Sequence, residues 1–224
     1  MSIEMSRAQA LRDLAERIIR IKLAQPIRVA IDGVDAVGKT TLADELAPII
    51  EASGRRVIRA SVDGFHNPAA VRYKRGADSA EGYYRDSFNH RMLIEVLLVP
   101  LGPGGSRRYR SAIFDYRTDR ELNQQLATAD ERAVLLFDGV FLHRPELRKH
   151  FDYTVFVNAA FEVTISRAMQ RARLLPGEDR ELRNRYEHRY MPGQELYLNE
   201  CRPTEKADAV FDNTDIDHPS VVYR

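Results

Sequence analysis

The sequence predicts an α/β domain in three layers: a parallel five-stranded sheet flanked by helices, with a helical lid. Three observations predict it. Five short apolar segments rich in β-branched residues alternate with helical stretches, the pattern of parallel strands covered on both faces. Between the first segment and the helix after it lies a glycine-rich turn, Gly33-Val34-Asp35-Ala36-Val37-Gly38-Lys39-Thr40. The 224 residues are enough for one large core, so the chain reads as a single domain over 1–224.

The elements follow in order. Over residues 3–24, Leu11, Leu14, Ile18 and Ile19 recur among Arg7, Arg12, Asp13, Glu16, Arg17 and Arg20, which predicts an amphipathic helix packed beside the sheet. Ile27–Asp32 is apolar and β-branched, as a buried parallel strand should be. From Thr41 a helix places Leu42, Leu46, Ile49 and Ile50 on one side, and Pro48 should bend it or end its first part. Arg56–Val62 is the second strand, and Asn89 to Leu98 reads as helix. Pro100–Ser106 is a loop, and Arg107 to Arg117 reads as a short strand or hairpin over the site. Ala133–Phe137, Tyr153–Val157 and Ala209–Asp212 supply the remaining strands. Residues 167–206 are charged and are interrupted by Pro176-Gly177 and Pro192-Gly193, which predicts two helices joined by a mobile connection, the lid.

Composition narrows the class. Lys plus Arg total 34 against 33 Asp plus Glu, a net charge of +1, so nothing global points to nucleic acid or a membrane surface. The single Cys201 makes neither an internal disulfide nor a cysteine-based zinc site. The first 25 residues show no secretory pattern, and no apolar run approaches bilayer length. The expected location is cytoplasmic.

Residues 33–40 complete the pattern G-x-x-x-x-G-K-[ST]. Glycines at Gly33 and Gly38 let the backbone wrap a diphosphate with several N–H groups turned inward, from Asp35, Ala36 and Val37 through Lys39, Thr40 and Thr41. Lys39 adds positive charge near the β- and γ-phosphates, and the Thr40 hydroxyl can bind Mg²⁺. The helix behind directs its positive end at the same anion. The expected cofactors are ATP and Mg²⁺.

Two strands close on Asp-Gly, and ligands in open α/β sheets bind at the carboxyl ends of strands. Asp138, after Val134-Leu135-Leu136-Phe137, would hold Mg²⁺ directly or through water. Asp63 ends the second strand and can accept a hydroxyl proton as the acceptor attacks. Taken singly, each acid could equally be a turn residue. Arg167 and Arg171, four apart, repel slightly on one helical face unless an anion such as triphosphate sits between them.

Four segments carry a family resemblance: Ile31 to Thr41, Ser61-Val62-Asp63-Gly64-Phe65-His66, Glu81 to Phe88, and Phe137-Asp138-Gly139-Val140-Phe141. Across Ile27 to about Asn213 the chain resembles the uridine kinase/phosphoribulokinase-like group of P-loop kinases. The resemblance implies the P-loop NTPase fold and ATP-dependent phosphorylation of a hydroxyl on a small molecule, most typically the 5′-hydroxyl of uridine or cytidine. It implies Asp63 as catalytic base, Asp86 as the acid on ribose hydroxyls, and Asp138 as the acid after the third strand. It places Arg167, Arg171 and Arg173 in a lid that closes over the phosphates, and homo-oligomers are common in the group. Two departures stand out. Asp63-Gly64-Phe65-His66 replaces the usual Asp-Ser-Phe-Tyr, and is more like relatives whose acceptors are not nucleosides, including pantothenate kinase-like proteins. Phe114-Asp115-Tyr116-Arg117-Thr118-Asp119 replaces a Tyr-Asp-Phe segment, and no histidine follows over residues 120–142 to meet a base.

The expected catalytic residues are therefore Asp63, Lys39 and Arg171. His66, Tyr83, Asp86 and Arg117 stand with Asp63 on the acceptor side. His66 is as readily a hydrogen-bonded scaffold residue, and Phe88 reads as core. Arg185 and Arg189 read as structural, because Glu181 precedes Arg185 at a favourable spacing. A non-nucleoside acceptor such as pantothenate or a sugar, and a nucleoside monophosphate kinase, are the alternatives within kinase chemistry. A GTPase would show Asn-Lys-x-Asp and a transporter ATPase Ser-Gly-Gly, and neither occurs. Intact Lys39, Thr40, Asp63 and Asp138 argue against a binding protein that has lost catalysis.

Overall fold

The computed structural model describes residues 6–172 and 183–224. Its main elements are α1 (Arg7–Arg20), β1 (Ile27–Gly33), α2 (Lys39–Ala52), β2 (Val57–Ser61), α3 (Ala80–Asp86), β3 (Val134–Gly139), β4 (Tyr153–Asn158), α4 (Phe161–Ala172), α5 (Met191–Cys201), β5 (Ala209–Asp212) and β6 (Ser220–Tyr223). One sheet runs in the order β6-β5-β4-β1-β3-β2. The five expected strands are parallel, and β6 adds an antiparallel edge on β5 that the sequence reading did not contain. β6 is only four residues long, and its Val222 is exposed, so it lacks the apolar run that marks the central strands.

β1 and β3 are buried along their whole length, which is why both read as continuous apolar segments. One core packs Phe65, Phe137, Phe141, Phe156 and Tyr197 on one face of the sheet. The other packs Leu14 and Ile18 of α1 with Leu42 and Leu46 of α2 on the opposite face. Each fully buried side chain of this size contributes about 1.5–3 kcal/mol. Among the described residues, no helix is long and apolar enough to cross a membrane.

Three expectations need correction. Among the described residues of the expected 3–24 stretch, the helix spans Arg7–Arg20: the Ser6 side chain accepts from the Gln9 N–H at its start, and Ile21 turns extended at its end. Pro48 does not end α2, which continues to Ala52. Pro48 and Asp44, whose carbonyl the proline leaves without its helical partner, are both exposed, so that carbonyl is open to solvent. Pro192-Gly193 does not break its helix either. A π turn over Tyr186–Tyr190 runs straight into α5, with Pro192 in its first turn. Gly193 serves close packing: a Cβ there would lie 2.8 Å from Tyr83 Cδ1 and 2.9 Å from the Ala80 carbonyl of α3. Pro176-Gly177 and Arg173 lie outside the described residues.

The helix over Asn89–Leu98 forms, with the Asn89 side chain capping it and its second half a π turn. The expected hairpin also forms, as Phe114–Asp115 against Arg120–Glu121, beside a second pairing of Arg108–Tyr109 with Ala127–Thr128.

Candidate active site

The crossovers from β1 lead first to β2 and β3 on one side and then to β4 and β5 on the other, which leaves a crevice at the carboxyl ends of the central strands. Gly33–Thr40 fills that crevice and runs into α2. The wrap needs left-handed backbone: Gly38 has φ 102° and Ala36 φ 58°. For a non-glycine residue the latter is a local strain of the kind found at functional sites. A cleft of about 430 Å³ opens above the loop, lined by Asp35, Lys39, Thr40, Asp63, His66, Tyr83 and Asp138 among others.

The loop's reactive groups are held in place. Lys39 Nζ donates to the Val34 carbonyl at 2.7 Å. Thr40 Oγ1 donates to Asp138 Oδ2 at 2.8 Å, while Arg59 Nη2 donates to Asp138 Oδ1 at 3.1 Å. Thr40 and Asp138 together offer one hydroxyl and one carboxylate oxygen beside the phosphate loop. That donor set fits Mg²⁺, which takes few protein oxygens and completes its octahedron with phosphate and water.

Asp63 sits in a short 3₁₀ turn after β2, with its N–H capped by Ser61 Oγ at 3.3 Å. Its carboxyl pKa is raised to about 6. Loss of hydration is the largest cause. The Asp35 and Asp138 charges add to it, and Lys39 and Arg117 oppose it. The side chain still meets water in the cleft, so it stays available for proton exchange. A carboxylate poised near 6 is suited to act as a general base around neutrality.

His66 Nδ1 lies 3.0 Å from the Asp63 carbonyl oxygen, and its ring sits between Phe88 at 4.6 Å and Tyr116 at 4.9 Å. Burial lowers its pKa to about 4, against the hydrogen bond to Asp63, so the ring is neutral near pH 7. Tyr83 donates to Asp35 Oδ2 at 2.8 Å, and burial, then the Asp35 charge, push its hydroxyl pKa well above the usual value. Phe88 is core and cleft wall at once. Arg117 is exposed, with its guanidinium 5.9 Å from the Tyr116 ring centre.

The Asp35 N–H, expected to turn toward the diphosphate, instead donates to Gln194 Oε1 at 2.7 Å. Two expected residues lie outside the cleft. Asp86 is buried and does not line the cleft: Lys74 Nζ at 3.0 Å and Arg75 Nε at 2.7 Å engage its carboxylate. Burial opposes the shift, but these two hydrogen bonds hold the carboxyl below its usual range. Arg167 faces the far side of the phosphate loop. Its Nη2 donates to the carbonyls of Asn213 and Thr214, at 2.9 and 3.2 Å. There it lines a second cavity of about 340 Å³ with Arg7, Gly38, Thr41, Gln170 and Asn213. Asn213 bridges the wall, donating to the Val37 carbonyl at 2.8 Å and accepting from Arg7 Nη1 at 2.9 Å. Arg171 belongs to α4, but its side chain lies outside the described residues. Arg189 is structural as expected, donating to the carbonyls of Ala77, Ser79 and Arg72.

Other residues at the site went unread in the sequence. Tyr186 and Tyr190 line the cleft, Gln194 bonds Asp35, and Tyr197 bonds Asp32 at the root of the loop. Their spacing of four, four and three along one helical face was the available signal.

The phosphoribulokinase/uridine kinase family profile matches residues 28–217. A solved structure described as a possible uridine kinase from Bacillus stearothermophilus shares 25% identity, covering 92% of this chain and 99% of that one, with a TM-score of 0.72. D-glycerate 3-kinase from Cryptococcus neoformans aligns at 13% identity over 96% of this chain and 97% of its own, TM-score 0.59. Phosphoribulokinase from Rhodobacter spheroides aligns at 17% identity over 84% and 70%, TM-score 0.58. The last two likenesses show the fold. No curated protein matches the chain.

Proposed function

The chain belongs to the phosphoribulokinase/uridine kinase family, a family of kinases, and on that premise we propose that it transfers the γ-phosphoryl group of ATP to an alcohol on a small molecule, first of all a nucleoside such as uridine or cytidine. One observation carries the reading: Lys39, Thr40, Asp138 and Asp63 line a single cleft at the carboxyl ends of β1, β2 and β3. The aromatic wall of Tyr83, Phe88, Tyr116 and Tyr190 supports a flat or apolar portion in the acceptor.

The donor tail would lie against the loop N–H groups, with its base in the cavity bounded by Arg7, Arg167 and Asn213. Bound Mg²⁺ supplies charge neutralisation, and Thr40 and Asp138 are its holders. Lys39 stabilises negative charge on the phosphates. Asp63 orients the acceptor hydroxyl and takes its proton as the oxygen attacks. Arg171 is proposed as the arginine that reaches the transferring group.

A second reading, a non-nucleoside acceptor, is favoured by His66 standing in the Asp63-Gly64-Phe65-His66 segment and by the lack of a histidine over residues 117–142, just after the Phe114-Asp115-Tyr116 segment. Both readings are tested by incubating the protein with Mg·ATP and nucleosides, pantothenate, sugars or glycerate, and detecting phosphorylated acceptor by mass spectrometry. Slow ATP hydrolysis indifferent to every acceptor refutes the kinase reading.

A further inference from the structure

An aspartate inside a loop that binds polyanions repels the ligand unless it is aimed elsewhere. Asp35 is the third residue of Gly33–Thr40, and the structure aims it elsewhere. Its Oδ2 accepts from Tyr83 Oη at 2.8 Å and from Gln194 Nε2 at 3.3 Å, and its own N–H donates to Gln194 Oε1 at 2.7 Å. Tyr83 and Gln194 are both buried, so the carboxylate cannot turn toward the phosphates without stranding two polar groups. Asp35 Oδ1 has no hydrogen-bond partner among the described residues, and the residue lines the acceptor cleft together with Asp63.

Among the described residues, the cations near this position are already engaged. Lys39 is bonded to the loop, Arg117 lies exposed against Tyr116 at the rim, and Arg185 is bonded to Tyr190. An acceptor bearing a carboxylate or phosphate would therefore meet Asp35, Asp63 and Asp138 beside the donor phosphates. A neutral hydroxyl would instead fill the open acceptor site on Oδ1 with a charge-assisted hydrogen bond.

We propose that Asp35 is a specificity-determining residue of the acceptor site: it takes a hydrogen bond from a second hydroxyl of an uncharged polyhydroxyl acceptor, and the cleft disfavours anionic acceptors. This rests on the kinase reading above. The loop thus serves both substrates, with backbone N–H groups for the donor and one side chain for the acceptor.

The test uses matched neutral and anionic acceptors that keep the same free hydroxyl: uridine and uridine 3′-monophosphate, glycerol and glycerate, pantothenol and pantothenate. In any pair that is phosphorylated, the neutral member should lead by about tenfold or more in kcat/KM. Asp35→Asn keeps an oxygen for Tyr83 but loses the charge. It should raise the acceptor KM about 10- to 100-fold, the scale of a hydrogen bond to a charged group, and narrow the preference within the pair. Calorimetric titration with Mg·ATP needs no acceptor: Asp35→Asn should bind it as tightly as the parent, or tighter. Preference for the anionic member overturns the proposal and leaves the kinase reading standing. So does tenfold weaker Mg·ATP binding by Asp35→Asn, which would assign Asp35 to the donor. ATP cleavage indifferent to every acceptor defeats the kinase reading and this proposal with it.

Discussion

If Asp63 is the base, its ionisation should set the acid limb of the pH–rate profile. With a carboxyl pKa of about 6, roughly nine-tenths of the protein is ionised at pH 7 and about one-tenth at pH 5. kcat/KM, which reports the free enzyme, should therefore fall about tenfold between those values. His66, held near 4, stays neutral across this window and does not contribute. Arg117 lowers the Asp63 pKa and Asp35 raises it, so Arg117→Ala should move the limb to higher pH and Asp35→Asn to lower pH. The assay is kcat/KM from pH 4.5 to 8.5, with the Asp63 carboxyl followed by carbon-13 NMR. Stability should show the same group. The raised pKa means that the neutral carboxyl favours folding: its contribution is complete below about 3.8, the unfolded value, and is lost as pH rises through about 6. Asp63→Asn should consequently gain thermal stability over the parent at pH 8 and lose that advantage at pH 4, an effect moderated by water in the cleft. A limb centred near 4, or one that persists unchanged in Asp63→Asn, refutes the assignment.

Three other outcomes are expected. Lys39→Ala should lose at least about 100-fold in kcat with an unchanged circular dichroism spectrum, because Lys39 Nζ makes one bond, to Val34, and packs no core. Tyr197→Phe removes a donor from the fully buried Asp32 carboxylate and an acceptor from the His143 N–H; chemical denaturation should show a loss of about 1–3 kcal/mol. Pro48→Ala restores a helix-interior N–H at an exposed position of α2, and should raise stability by about 1–2 kcal/mol by the same method, helix propensity outweighing the lost rigidity of the unfolded chain.

The central strands and the phosphate loop were legible because their signals are local. β1 and β3 are buried on both faces and so are apolar without interruption, and the loop's spacing is the one a backbone needs to wrap a diphosphate. Asp63 and Asp138 were legible through their place at strand ends. β6 was not, because a four-residue edge strand with alternate residues exposed carries little hydrophobic signal. Pro48 and Pro192-Gly193 misled because the cost of a proline depends on what its freed carbonyl meets, and the meaning of a glycine on what packs against it. Neither is visible before the chain is folded. The partners of Asp86 were hidden for a similar reason: Lys74 and Arg75 reach its carboxylate from twelve and eleven residues upstream.

One helix explains how the loop holds its shape between these elements. α5 meets the β1–α2 junction at two points on either side of Gly33-Val34. Tyr197 bonds the buried Asp32 carboxylate, which also accepts from His143 Nδ1 at 2.6 Å and from the Gly33 N–H at 2.8 Å. One turn earlier, Gln194 grips Asp35 through both its backbone and its side chain. A strand end carrying strained backbone at Ala36 could relax if only its chain neighbours restrained it. Here the restraint comes from a helix more than 150 residues later in the chain, packed against α3 through Gly193. The π turn that precedes α5 carries Tyr190 into the acceptor cleft. The same helical run therefore restrains the Gly33–Thr40 loop and walls the cleft beside it.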